Sequence, residues 1–162
     1  MNWQDVLQDK SLQNLPYKIE LNKQGRIEMS PATNWHAYWQ YEIAGLLREQ
    51  LRGRGMGFTE ASIDTPEGVK VADVAWASSQ FIKQHGMATP FPKAPEICVE
   101  IISPGNTEFE IRTKTTLYFD QGALEVWLCT LEGKMMFLDV SSELETSQIA
   151  TKFPKQLQLG NT

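Results

Sequence analysis

The stretch Glu96-Ile97-Cys98-Val99-Glu100-Ile101-Ile102-Ser103-Pro104-Gly105-Asn106-Thr107-Glu108-Phe109-Glu110 decides how this chain folds. Apart from two acids, its first seven residues are apolar and mostly β-branched, the composition of a central strand covered on both faces. Ser103 to Asn106 breaks that strand with turn residues. Thr107-x-x-Glu110 is a capping box, in which hydroxyl and carboxylate each accept a main-chain N–H, so a helix opens here. Gly122 closes it as a C-cap. Leu124 to Thr130 is again strand-like, and Met135 to Val140 follows after a turn at Glu132-Gly133. A strand, a helix and a strand in this order form a crossover unit of a layered α/β fold.

Working outward, Val69 to Ala77 and Phe58 to Ile63 read as strands of a hairpin turned at Thr65-Pro66-Glu67-Gly68. Ser79 to Gln84 reads as a short helix, and Met87 to Pro95, with three prolines, as a loop. Trp35, Tyr38, Trp39, Ile43, Leu46, Leu47 and Leu51 recur at three- and four-residue spacing, which predicts a long helix capped by Thr33 or Asn34 and ended by Gly53 to Gly57. Tyr17 to Leu21 and Arg26 to Met29, around Asn22-Lys23-Gln24-Gly25, predict an N-terminal β-hairpin. Trp3 to Leu7 suits a short helix. In the weakly patterned last twenty residues, Phe153 and Leu159 are expected to pack back on the domain. From the long helix onward the order is helix, strand, strand, strand, helix, strand: a mixed sheet flanked by helices.

With 162 residues, one domain spanning 1–162 is expected, and a chain of this length folds without disulfides or a structural metal. Cys98 and Cys129 lie in apolar runs and read as buried thiols. Met1 to Lys10 has no basic stretch leading into an apolar run, and no apolar run approaches the roughly 18 residues a membrane span requires. A cytoplasmic protein that engages no membrane is therefore expected. The net charge of −5 counts against a protein whose chief task is gripping nucleic acid, although local basic clusters are compatible with it. No phosphate-binding glycine loop and no nucleophile elbow is present.

Two residues stand out chemically. Asp73 lies inside Val69-Lys70-Val71-Ala72-Asp73-Val74-Ala75-Trp76, and Glu100 inside the central strand. A carboxylate within an apolar strand is costly to bury unless it is compensated. A bound Mg²⁺ or Mn²⁺, each preferring oxygen ligands, compensates it; a buried lysine or arginine, or a strand end exposed to water, is the plainer reading for either acid alone, and the pair on successive core strands before a helix carrying Lys114 favours the metal. Lys114 sits four residues from both Glu110 and Tyr118 on one helix face. It reads either as a surface partner of Glu110 or as a cation beside a metal site. His36 falls in the first turn of the long helix, where a surface or capping role is the plainer reading. Glu20 suits the outward side of an alternating strand. Glu42, on the long helix, is either solvated or a third acid of the site.

Several segments together resemble one family. They are Tyr17-Lys18-Ile19-Glu20-Leu21 with Gly25-Arg26-Ile27 and Met29-Ser30-Pro31; His36; Ala72-Asp73-Val74-Ala75-Trp76; Val99-Glu100-Ile101-Ile102-Ser103-Pro104; and Lys114-x-x-x-Tyr118-x-x-x-Gly122 leading to Glu125-Val126-Trp127-Leu128. This pattern, over about residues 16–140, resembles the Uma family of restriction endonucleases within the PD-(D/E)XK nuclease superfamily. The resemblance implies a restriction-endonuclease-like α/β (α+β) core. It implies Asp73, Glu100 and the backbone carbonyl of Ile101 as ligands of Mg²⁺ or Mn²⁺, DNA as substrate, and phosphodiester hydrolysis by a metal-activated water. The superfamily's proline before the first acid is Ala72 here, and the lysine expected two residues after Glu100 is Ile102. That makes Lys114 the candidate catalytic cation, with Glu20, His36, Glu42 and Tyr118 as accessory groups. A non-catalytic module of the same fold, binding protein or nucleic acid, is the alternative. A twofold homodimer suits an enzyme that cuts both strands of a duplex.

Overall fold

The structure, a computed structural model, describes residues 1–160. Helix α1 (Trp3–Gln8) is opened by a capping box from Asn2 and Asp5, and a 3-10 turn follows at Lys10–Leu12. Strands β1 (Tyr17–Leu21) and β2 (Ile27–Pro31) form a two-stranded antiparallel sheet of their own. Helix α2 (Asn34–Gln50) starts at Thr33, whose side chain accepts from the His36 N–H. Strands β3 (Gly55–Thr65) and β4 (Gly68–Ser78) make the long hairpin, and α3 (Ser79–His85) follows. Strand β5 (Ile97–Ile101), helix α4 (Glu108–Asp120) and strand β6 (Glu125–Cys129) form the crossover unit. Strands β7 (Met135–Leu138) and β8 (Glu143–Leu144) complete the main sheet.

That sheet runs β3-β4-β5-β6-β7-β8. Only β5 and β6 are parallel, as a crossover requires; the other neighbours are antiparallel. The mixed sheet and the N-terminal hairpin match the pattern read from the sequence. Helix α4 begins with the capping box of Thr107 and Glu110, and Gly122 beyond its end adopts φ +104°, where a side chain would be strained.

Strand β5 is buried along its whole length, and its side chains divide between the two faces. Ile97, Val99 and Ile101 join Trp39, Ile43 and Leu47 of α2 and Leu51 just beyond its end, together with Trp127, Phe137 and Phe153. On the other face Cys98 joins Tyr118 of α4, Val126 and Leu128. The C-terminal segment packs back through Ala150, Phe153 and Leu157, whereas Leu159 is 59% exposed. The expectation for Leu159 is thus corrected: Leu157, two residues earlier, takes the buried position. Burial pushes the Cys98 thiol well above its ordinary range and that of Cys129 up to about 12, as expected of inert core cysteines. Among the described residues, no helix is long and apolar enough to cross a membrane.

Candidate active site

The β4–β5 ladder pairs only Val74↔Val99, Ala75↔Cys98 and Trp76↔Ile97. Beyond Val74 and Val99 the strands part, at Asp73 and Glu100. There the Asp73 carboxylate takes the place of a ladder carbonyl: its Oδ2 accepts the Ile101 N–H at 2.7 Å. The other side of β4 opens at the same residue. Thr59↔Val74 and Ala61↔Ala72 pair across β3–β4, but Glu60 and Asp73 between them do not. Glu60 instead adopts φ +55°, a left-handed conformation rare for a residue with a side chain. Gln40 of α2 fills the gap, its Nε2 donating to the Asp73 carbonyl at 2.8 Å and to Glu60 Oε1 at 2.7 Å. Asp73 is therefore fixed by main-chain and side-chain partners outside the ordinary ladder.

Cations converge on this opening from two directions. Lys18 of β1 places Nζ 2.7 Å from Asp73 Oδ1 and 3.2 Å from Glu100 Oε2. Lys114 of α4 places Nζ 3.0 Å from Glu100 Oε1 and 2.8 Å from Glu20 Oε1. His36 Nε2 lies 3.2 Å from Asp73 Oδ2, and the Tyr118 hydroxyl donates to Glu100 Oε1 at 2.6 Å. Glu20 also accepts the Val71 N–H at 2.7 Å, which ties the hairpin to β4. Three carboxylates, two ammonium groups, an imidazole and a phenol thus form one connected network.

Its charges are set by burial and by each other. Burial pushes the Glu100 carboxyl above its ordinary range, against the pull of Lys114 and Lys18. Burial disfavours the Asp73 and Glu20 carboxylates too, but Lys18 and His36 beside Asp73, and Lys114 and Lys18 beside Glu20, outweigh it and hold both low. The hydrogen bond to Asp73 raises His36, overcoming burial, so the imidazolium is favoured. Burial and the neighbouring Glu100 keep the Tyr118 hydroxyl protonated and donating.

The sequence candidates Asp73, Glu100, Lys114, Glu20, His36 and Tyr118 all stand in this network. Three plainer readings require correction. Lys114 is not paired with Glu110, whose carboxylate accepts the Thr107 N–H as a helix cap. Glu20 does not face outward, because the hairpin lies on β4 and turns that side of β1 inward. His36 is not a surface group: it is 7% exposed. Glu42 does not join the site but lines a groove with Arg48 and Phe58. Helix geometry explains this, since at about 100° per residue His36 and Gln40 share a face and Glu42 is turned well away from it. Lys18 and Gln40 were not anticipated. For Lys18 a signal exists: it is two residues from Glu20 in a strand, hence on the same side.

The residues at the opening suit a hard divalent cation. Asp73 and Glu100 direct one oxygen each, Oδ1 and Oε2, at a single positive charge, the Lys18 ammonium. Oxygen donors sharing one cation are the ligand type that Mg²⁺ and Mn²⁺ take. Among the described residues no three acid, imidazole or thiol side chains are grouped to hold a metal. The side chains thus offer two acids, and one or two carboxylates, with waters and substrate phosphate completing the shell, is the usual provision for Mg²⁺.

The mixed sheet with its β5–α4–β6 crossover, flanked by helices and parting at paired acids, is that of a protein of the restriction-endonuclease-like fold. The Uma2 family model, described as "Putative restriction endonuclease", matches residues 3–158, and the chain belongs to that family. No curated protein matches the sequence. Among solved structures, a crystal structure of a "putative nuclease belonging to DUF820" from Anabaena variabilis is similar, with a TM-score of 0.70 over 86% of each chain at 17% identity.

Proposed function

We propose that this protein is an endonuclease that hydrolyses DNA phosphodiester bonds with Mg²⁺ or Mn²⁺. The observation that carries the proposal is the pair Asp73 and Glu100 at the parting of β4 and β5, sharing one cation, with Lys114 on the other Glu100 oxygen. The two carboxylates, with the Ile101 carbonyl, are the groups that would hold the metal. When bound, it would polarise the phosphate and lower the pKa of a water. Lys114 orients that water or offsets charge developing on the phosphate. Glu20 holds Lys114, Tyr118 fixes the Glu100 carboxylate, and His36 fixes that of Asp73. The similarity to the "putative nuclease belonging to DUF820" of Anabaena variabilis and membership of the Uma2 family both support this reading.

The test is plasmid nicking in Mn²⁺ and Mg²⁺ by wild type, Asp73→Ala, Lys114→Ala and Glu110→Ala. Lys114→Ala should cut the rate by on the order of a hundredfold or more, the usual scale for one transition-state charge contact. Asp73→Ala should abolish cleavage and Mn²⁺ binding together. Glu110→Ala removes only a helix cap and should leave the rate unchanged. If wild type nicks nothing in either metal, the proposal is wrong. One observation favours a second reading, a non-catalytic module: every oxygen of Asp73 and Glu100 already has a partner within the chain, as in a purely structural ion cluster.

A further inference from the structure

Lys18 differs from Lys114 in where it puts its charge. Lys114 reaches Glu100 Oε1 and Glu20. Lys18 reaches Asp73 Oδ1 and Glu100 Oε2, and is thus the one cation of the network in contact with both strand acids. A dication held by these same two oxygens would compete for them with the ammonium. Two positive centres on one pair of oxygens repel strongly in a site this buried, where Coulomb forces are weakly screened. They exclude one another.

We propose that Lys18 is a resident counter-ion of Asp73 and Glu100, and that metal binds by exchange with its ammonium group. The inference rests on the metal reading above. The backbone carrying Lys18 is well anchored. Leu21 at the end of β1 packs with Val6 and Val69, Glu20 is tied to Val71, and Lys70 is tied to Glu28 of β2. The mobile part is therefore the four-carbon side chain, not the hairpin. A destination adjoins it. A cavity of about 250 Å³ is lined by Trp3, Tyr17, Lys18, Glu60 and Val71. Glu60 is exposed and uses Oε1 for Gln40, which leaves Oε2 for a displaced ammonium. On this account the lysine swings from the paired acids toward Glu60 when metal enters. The device keeps two buried carboxylates compensated in the absence of metal, and lowers metal affinity by the strength of the contact it replaces.

Two measurements test the exchange. Calorimetric titration with Mn²⁺ should give Lys18→Met at least about tenfold tighter binding than wild type, since no ammonium has to leave. Equal or weaker binding by the variant, with wild type still binding, overturns the exchange and leaves the metal reading standing. Binding by neither protein overturns both. The second measurement uses wild type alone and so does not depend on the variant folding. Lys18 acetylation by an amine-reactive reagent, followed by mass spectrometry, should rise several-fold on addition of Mn²⁺ as the ammonium leaves the acids. An unchanged labelling rate under metal concentrations that saturate the calorimetric site overturns the proposal.

Discussion

At Glu60 a side-chain-bearing residue sits at φ +55°, opposite the one residue of β4 that lacks its ladder partner. Such backbone strain costs on the order of 1–3 kcal/mol and persists only where the surroundings impose it. Here Gln40 imposes it, bonding both the Asp73 carbonyl and the Glu60 carboxylate. Gln40→Ala should therefore leave a main-chain carbonyl unpaired beside the core and destabilise the fold by about 1–3 kcal/mol in urea denaturation. Glu60→Gly relieves the backbone but forfeits one partly exposed hydrogen bond, so its stability should equal or exceed wild type. A loss of more than about 1 kcal/mol in the glycine variant would mean that the left-handed conformation is not strained at this position.

Among the elements, the N-terminal hairpin is the one whose placement decides the site, because β1 carries both Lys18 and Glu20. Its close approach to the β3–β4 turn depends on Gly68. A Cβ there would clash with the Leu21 carbonyl oxygen, and the residue's φ is +95°. Gly68→Ala meets backbone, not a flexible side chain, so the hairpin itself has to move. The variant should lose at least about 1–3 kcal/mol of stability through strain alone. It should also unfasten Lys18 and Glu20 from their partners, which makes Lys18 acetylation faster than in wild type without any metal. An alanine variant as stable as wild type, with Lys18 equally protected, would show that the hairpin is held elsewhere.

For the whole molecule, the network makes stability depend on pH from both sides. His36 is raised above its ordinary 6.5, so its contribution is fully present below 6.5 and is lost as pH rises through the folded value. Asp73 and Glu20 are held below their ordinary 3.8 and 4.5. Their contributions are present above those values and are lost as pH falls through the lower folded ones. Glu100, raised above 4.5, acts in the opposite sense, favouring the fold on its protonated side and blunting the acid loss. Melting temperature should therefore be highest between roughly pH 5 and 6.5 and decline on either side. His36→Gln should remove the part of the alkaline decline that starts near neutrality. A variant with the same alkaline slope as wild type would show that His36 does not titrate against Asp73. Lys18 and Glu60 also face the imidazole and set its position, one lowering and one raising it.

The elements were legible in the sequence because their signals are local. The capping box at Thr107 and Glu110, the helical spacing from Trp35 to Leu51 and the apolar run around Glu100 each act within a few residues. The two strand acids were legible for the same reason, as carboxylates set in apolar runs. Local pattern does not distinguish them from Glu125, which sits in an equally apolar strand but serves structure: Trp127 Nε1, the Ser147 hydroxyl and the N–H groups of Gln148 and Ile149 bind its carboxylate and fasten the C-terminal segment. Only the tertiary structure separates the two cases. It brings Lys18 to Asp73 and Glu100 from 55 and 82 residues away, turns Glu20 and His36 inward, and leaves Glu42 out. The partner of a buried charge is chosen by how layers pack across the sheet, and the spacing of residues along one strand or helix carries no record of that choice.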